Sequence, residues 1–313
     1  MKRLIFLIIV VAVLIVPGVL LGSACGNEQP ASAGAIEDDR GRVVELDRYP
    51  ERIVSLAPSC TEMLFALGLA DEIVGVTTYC NYPAAALDKE KAGGFSPDEW
   101  NEEKILELEP DLVIVSGGIQ TESIDAIEKR GLTVFVVDPQ SIDGVIDSLK
   151  TLGELTGHEE EAEALAGDMQ ERIDAVTTST ESMTQDQKRE TLFVVWHDPL
   201  YTVAGNTLET ELIDKAGGIN IADATGQEGF GVIDLEIVLD EKPEVIIAYT
   251  GHGSSKDDPL NWVKEESRLA GTPARENNRI YQMDTDIIGR AGPRIVDALE
   301  QVAQCIHPEL FGD

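Results

Sequence analysis

Four histidines, four cysteines and a large excess of carboxylates are the residues of this chain that could carry chemistry. His158, His197, His252 and His307 stand apart, and none belongs to an H-E-x-x-H pair, the spacing that puts two imidazoles on one helix face around a metal. The chain contains no G-x-S-x-G nucleophile elbow and no G-x-x-x-x-G-K-[ST] phosphate loop. Ser116-Gly117-Gly118 reads as a strand-end turn. With 58 Asp and Glu against 24 Lys and Arg, abundance alone supplies any pair of carboxylates, so no acid–base couple is singled out. The chain is therefore expected to lack catalytic residues, a resident metal and a cofactor, and not to be an enzyme.

The net charge of −34 repels phosphate backbones and anionic lipid surfaces, which argues against nucleic acid as a partner. Residues 1–25 have the plan of an export signal: Lys2 and Arg3, an almost unbroken apolar run from Leu4 to Leu21, then small residues before Cys25. A Cys in that position resembles the lipid-attachment site of bacterial and archaeal lipoproteins, so Cys25 is the expected lipidation site. The usual Leu three residues before it is Gly22 here. The alternative is an apolar segment retained as a membrane-spanning helix, for which 18 residues is just long enough. Either arrangement leaves the body outside the membrane. An exported compartment permits disulfides, and Cys60 and Cys80 each follow an expected strand, so a Cys60–Cys80 disulfide is expected. Cys305 is expected to be a free, buried thiol.

The elements that position these residues form an internal repeat. RIVSLAPSCTEMLFALG (Arg52 to Gly68) reads as strand, turn and helix ending at Gly, and Thr191 to Gly218 repeats that plan with a longer connection. Lys104 to Gly118 (short helix, Pro, buried strand, Gly) matches Ile237 to Gly251, and Arg130 to Asp138 matches Glu276 to Asp284. The order is constant while the spacing varies, as duplicated lobes require and a short-period solenoid does not. Short continuous apolar runs such as Leu112 to Val115 and Val245 to Ala248 are strands buried on both faces, the mark of parallel sheets covered by helices. The expected organisation is a signal (1–25), a flexible tether (26–40), an N-terminal α/β lobe (41–141), a helical bridge (142–188) and a C-terminal α/β lobe (189–313). In the bridge, helical spacing continues past Gly157-His158, which reads as one long, rigid connector.

Four segments carry a family resemblance: Arg52 to Pro83, Asn101 to Gly118, GGINIAD (Gly217 to Asp223) and Ile287 to Ala303. They resemble, in the same order, the cobalamin-binding proteins of ABC importers. Those belong to the class III group of solute-binding proteins, which also takes haem and ferric siderophores. The resemblance covers nearly all of residues 40–307, and YCNYP (Tyr79 to Pro83) and RAGPRI (Arg290 to Ile295) lean towards the cobalamin branch. It implies two Rossmann-like lobes with mainly parallel sheets joined by a long rigid helix, and a ligand held between them. In doubly wound lobes the ligand sits beyond the carboxyl ends of the strands. By motif position, Tyr79, Phe95, Tyr201 and Phe230 fall where the family carries aromatic contacts, and Asp286 and Arg290 where it carries an acidic and a basic one. Phe95 and Phe230 stand where Trp is the more familiar residue, and Trp196 and His197 could make up the missing aromatic surface. An imidazole at His197 suits haem iron or cobalt; the alternative is a loop histidine with no metal partner.

Glu103 and Glu236 each lie seven residues before the proline of their lobe, Pro110 or Pro243, and so occupy equivalent positions. In this family such paired glutamates meet arginines on the two membrane subunits, a sensible arrangement for a partner with twofold symmetry. The expected protein is a monomeric, membrane-anchored carrier of a corrinoid, with an ABC permease as its partner. A haem or ferric-siderophore carrier on the same scaffold, and a non-transport surface module, are the alternatives.

Overall fold

A computed structural model describes residues 34–117, 121–250 and 258–312. The export signal, Cys25 and His252 lie outside the described residues. In the N-terminal lobe, the strands β3 (Ile53–Ser55), β4 (Ile73–Val76), β5 (Glu90–Lys91), β6 (Leu112–Ser116) and β7 (Val134–Val137) form an all-parallel sheet in the order β5-β4-β3-β6-β7. In the C-terminal lobe, β8 (Arg189–Val194), β11 (Gly218–Asn220), β13 (Val245–Thr250) and β14 (Ile280–Asp284) form a parallel sheet in the order β11-β8-β13-β14. In each sheet the first strand, β3 or β8, is flanked on one side by the strand that follows it (β4, with β5 beyond it, or β11) and on the other by the last two, β6-β7 or β13-β14. The two sheets are thus the same doubly wound plan used twice.

The repeat extends to the backbone. Helix α1 (Pro58–Ala66) leads into Gly68 at φ +89°, and its counterpart α6 (Leu208–Lys215) leads into Gly217 at φ +76°. A residue with no Cβ adopts that left-handed conformation without steric cost. Helices α2 (Glu102–Glu107) and α7 (Leu235–Glu241) each run into a non-glycine residue at positive φ, Glu109 (45°) and Lys242 (51°), directly before Pro110 and Pro243. The longer connection after β8 is an insertion: β9 (Trp196–His197), β10 (Leu200–Ala204) and β12 (Gly229–Val232) make a small antiparallel sheet in the order β12-β10-β9.

Two expectations about the connections are corrected. The tether does not reach residue 40, because β1 (Gly34–Glu37) and β2 (Val43–Leu46) pair as an antiparallel hairpin. The hairpin buries Ile36, Val44 and Leu46, and the buried Asp38 carboxylate accepts hydrogen bonds from the Arg40, Arg42 and Val136 amides. The bridge is not one helix but two, α4 (Ile142–Thr156) and α5 (Glu159–Thr180), broken at Gly157 (φ +76°). They lie side by side, with Lys150 paired to Glu163 at 3.2 Å. Helix α4 packs on the N-terminal lobe, and α5 is tied to the C-terminal helix α11 (Ile295–Ile306) by Arg172, which binds Asp297 and Glu300, both at 2.6 Å.

Alternation along the strands splits each lobe's apolar residues between the two faces of its sheet. One large cluster runs without interruption through both lobes and the bridge; it includes Met63, Leu64, Leu149, Leu152, Met169, Ile173, Phe193, Ile247 and Leu299. Separate clusters fill the outer faces, around Val54, Val113 and Val115 in one lobe and Leu192, Val194 and Ile246 in the other. Because close-packed interiors resist shear, a core continuous across the bridge ties each lobe to it. Among the described residues no helix is long and apolar enough to cross a membrane.

Candidate functional site

The carboxyl ends of both parallel sheets open onto a shared cleft of about 840 Å³, at the large end of the size range for small-molecule sites. From the N-terminal lobe it is lined by the start of α1 (Ala57 to Ser59), the end of β6 (Ser116), Pro139 and Gln140 after β7, and the loops carrying Tyr79 and Phe95. The C-terminal lobe supplies the start of α6 (Asn206 to Glu209), Phe230, Tyr249 and the segment around α10 (Thr285–Ile288). Apart from Phe230 on the inserted sheet, these positions lie at or beyond parallel-strand ends or in N-terminal helix turns, where a doubly wound sheet exposes its binding edge.

Tyr79, Phe95 and Phe230 are 53%, 63% and 56% exposed, which for large apolar rings is an unsatisfied surface. Tyr79 and Phe95 meet edge to face with centroids 6.3 Å apart, so they form one wall, and Phe230 on β12 faces the cleft from the other lobe. Such walls suit a flat, largely apolar ligand.

Five of the eight residues expected to contact ligand line this cleft: Tyr79, Phe95, Phe230, Asp286 and Arg290. The structure places the other three, Trp196, His197 and Tyr201, outside the lining residues. In the register of the inserted sheet, Trp196, Tyr201 and Val232 stand in one row across the three strands, while Phe230 stands opposite Val203, two residues further along, and His197 pairs with Leu200 in the alternate row. His197 lies between the rings of Trp196 and Trp262, with centroids 5.0 and 5.9 Å away, and among the described residues its buried Nδ1 has no hydrogen-bond partner. Trp262 belongs to α8 (Pro259–Glu265), none of whose residues lines the cleft.

The expected Cys60–Cys80 disulfide is also corrected: both are free, buried thiols. Proximity of two strand ends does not set the direction of the Cβ vectors, which a disulfide requires. The Cys80 sulfur instead accepts a hydrogen bond from the Thr61 hydroxyl at 3.1 Å and lies 3.1 Å from that of Thr77. Burial pushes the Cys60 thiol up to about 12. Cys305 is a free, half-buried thiol on α11, also pushed up to about 12 by burial.

Arg290 is the only basic side chain among the described lining residues, and its charge is already engaged. Its Nη1 donates to Glu62 Oε1 at 2.8 Å and Asn81 Oδ1 at 2.9 Å, while Nη2 binds Asp286 Oδ1 at 2.7 Å and donates to the Tyr79 carbonyl at 3.3 Å. Two further carboxylates line the cleft. Glu99 accepts from the Ser96 and Phe95 amides, which lower its pKa. Glu209, 4% exposed, accepts from the Tyr249 hydroxyl at 3.2 Å, and burial raises its pKa. Neither Glu99, Glu209, Tyr249 nor Glu62 was picked out from the sequence. Glu62 had a usable signal, a carboxylate among apolar residues in Thr-Glu-Met-Leu-Phe, whereas the cleft position of Glu209 depends on the fold alone.

Glu103 and Glu236 sit in the first turns of α2 and α7, and both are exposed. The structure therefore puts equivalent carboxylates on equivalent elements of the two lobes. Among the described residues, no group of three or more His, Cys, Asp or Glu side chains is arranged to hold a metal ion.

Residues 53–287 match the model of a periplasmic binding protein family. An uncharacterised ABC transporter substrate-binding lipoprotein of Bacillus subtilis is 31% identical over 88% of this chain and 86% of its own length. A cobalamin-binding protein of Halobacterium salinarum is 29% identical over 86% of this chain and 73% of its own. Among solved structures, the periplasmic vitamin B12-binding protein of Vibrio cholerae superposes with a TM-score of 0.70 at 28% identity, covering 84% of this chain and 99% of that one. Two doubly wound lobes, a helical bridge and a cleft at their strand ends are the features these matches span. The chain belongs to the periplasmic binding protein family.

Proposed function

We propose that this protein is the extracytoplasmic substrate-binding component of an ABC importer, and that it captures cobalamin or a related corrinoid in the inter-lobe cleft. The observation that carries the reading is the character of the cleft: three exposed aromatic rings, and no basic side chain without a carboxylate partner among the described lining residues. A corrinoid is a flat macrocycle fringed with neutral amides, which need aromatic surface and hydrogen-bonding groups rather than fixed positive charge. Haem propionates and the anionic groups of ferric siderophores would call for cations to meet them. The names of the relatives from Halobacterium salinarum and Vibrio cholerae support the same ligand. Cys25 is the proposed lipid-attachment site, in keeping with the description of the Bacillus subtilis relative as a lipoprotein. The carrier acts as a monomer and docks on the permease through Glu103 and Glu236.

Titration of the purified protein with cyanocobalamin, haem and a ferric siderophore tests the ligand. Tight binding of cyanocobalamin alone is expected. Tight binding of haem or the siderophore, with none of cyanocobalamin, would overturn the assignment.

A further inference from the structure

Glu62 puts a carboxylate where a charge is costly. Its side chain is 1% exposed, and its neighbours Met63 and Leu64 on α1 are fully buried. A buried carboxylate persists only when paired and hydrogen-bonded, and the partners of Glu62 come from the other lobe. Arg290 Nη1 reaches Oε1 at 2.8 Å; Arg294 Nε reaches Oε2 at 2.8 Å and its Nη2 reaches Oε1 at 2.6 Å. Further links cross the same gap. Asn81 Nδ2 donates to Asp286 Oδ2 at 2.7 Å, and the Arg294 guanidinium lies 4.2 Å from the centroid of the Tyr82 ring. The backbones also approach closely: a Cβ on Gly292 would stand 3.4 Å from the Ser59 carbonyl oxygen. Glu62, Asn81 and Tyr82 belong to the first lobe; Asp286, Arg290 and Arg294 belong to the second. Two positive and two negative groups balance within the cluster.

The lobes are already joined through α4 and α5, and a single connector leaves two bodies free to twist about it. We propose that Glu62 is a positioning residue: by holding Arg290 and Arg294 across the gap it forms a second attachment between the lobes and fixes the width of the ligand-free cleft. Arg290 is then a strut of that attachment, with both terminal nitrogens committed to protein acceptors, rather than a counter-ion for the ligand. The reading goes beyond the assignment of the ligand and holds for any occupant of the cleft.

The test reads the distance between the lobes without ligand, so its outcome is separate from that of the corrinoid titration. Spin labels are placed on the full chain through Glu107→Cys on α2 and Asp240→Cys on α7, both exposed positions, with Cys25→Ser and Cys305→Ser removing two other thiols and burial keeping Cys60 and Cys80 from the label. Double electron–electron resonance should give one narrow distance distribution for the labelled parent, and Glu62→Gln should lose that single peak to a broader or displaced one. The double variant Arg290→Gln/Arg294→Gln removes the same attachment from the opposite lobe and should do likewise, which keeps the test decisive if one variant fails to fold. A distribution as narrow as the parent's, at the same distance, in either folded variant overturns the proposal.

Discussion

Removing the Phe230 ring measures how much of the binding energy the cleft draws from its aromatic walls. Phe230 is 56% exposed in the ligand-free protein. An aromatic side chain presents about 200 Å² in all, which leaves roughly 110 Å² of apolar surface for a ligand to cover at about 25 cal/mol per Å². Full coverage is therefore worth about 2.8 kcal/mol, and coverage of one face about half that. Phe230→Ala should weaken cyanocobalamin binding by roughly 10- to 100-fold. The comparison is between two forms of one protein, so the cost of immobilising the ligand cancels, which it does not in an absolute affinity. The substitution is on a solvent-facing position of an antiparallel pair, opposite Val203, so the fold should survive it. Equilibrium dialysis followed by corrinoid absorbance gives Kd for the parent, Phe230→Ala and Trp196→Ala. Trp196 is not among the cleft-lining residues and should leave Kd unchanged. A folded Phe230→Ala protein binding within threefold of the parent would refute the aromatic-wall argument. An equal loss in Trp196→Ala would show that the ligand lies on the inserted sheet instead.

Glu209→Gln tests the buried carboxyl: because burial raises its pKa above the usual 4.5, the fold holds its proton more tightly than the unfolded chain does. Stability of the parent should then fall as pH rises from about 4.5 through the raised pKa, at about 1.4 kcal/mol for each tenfold difference in proton affinity. The Gln variant, which has no proton to lose, should gain on the parent across that window; parallel Tm curves for the two proteins would show that the group costs nothing. Gly153→Ala should destabilise, since the new Cβ would stand 2.4 Å from that of Ala162 where α4 meets α5. Overpacking of about 1–3 kcal/mol exceeds the helix-propensity gain of about 1 kcal/mol. Gly167→Ala, in open space on α5, should instead raise Tm, and the same sign for both substitutions would be contrary to this packing. Neutralising both docking carboxylates, Glu103→Gln with Glu236→Gln, should abolish uptake in cells while leaving Kd unchanged; undiminished uptake would remove them from the docking surface.

Local physics decided which parts of this structure were legible from the chain. The duplicated lobes could be read because their markers are short-range: Gly68 and Gly217 at positive φ, Pro110 and Pro243 ahead of strands buried on both faces. The β1–β2 hairpin was hidden because a four-residue strand with one buried side chain, Ile36, has too little periodicity to separate from a tether. The bridge looked continuous because apolar spacing persists on both sides of Gly157, although that residue's left-handed backbone turns the chain. Strand direction correctly brought Tyr79, Phe95 and Phe230 to one cleft. Placing Trp196, His197 and Tyr201 required the register of the inserted sheet, in which the Trp196–Tyr201 row lies two residues from Phe230 and His197 belongs to the alternate row. Arg290 and Asp286 could be placed at the cleft, but their commitment to Glu62 and Asn81 is a pairing between residues more than 200 positions apart, and no spacing rule reaches that far.

The two lobes repeat one plan, yet the cleft between them is not symmetric. Its N-terminal wall is the Tyr79–Phe95 pair, whereas the C-terminal wall is Phe230 on an insertion the first lobe lacks. The carboxylates proposed for docking behave oppositely. Helices α2 and α7 both deliver the chain to the start of a parallel strand, β6 and β13. A helix that returns the chain to the start of such a strand begins near the sheet's carboxyl edge, so the first turns that hold Glu103 and Glu236 lie towards the cleft. Asymmetry in the walls would hold one ligand in one orientation, while symmetry in the carboxylates would let two equivalent subunits be met at once. Because both sets of residues belong to the same edge of the sheets, a partner bound through Glu103 and Glu236 faces the mouth of the cleft. With the lobes held by a continuous core and by the Glu62 cluster, release would then depend on what the partner inserts at that mouth, not on the lobes swinging apart.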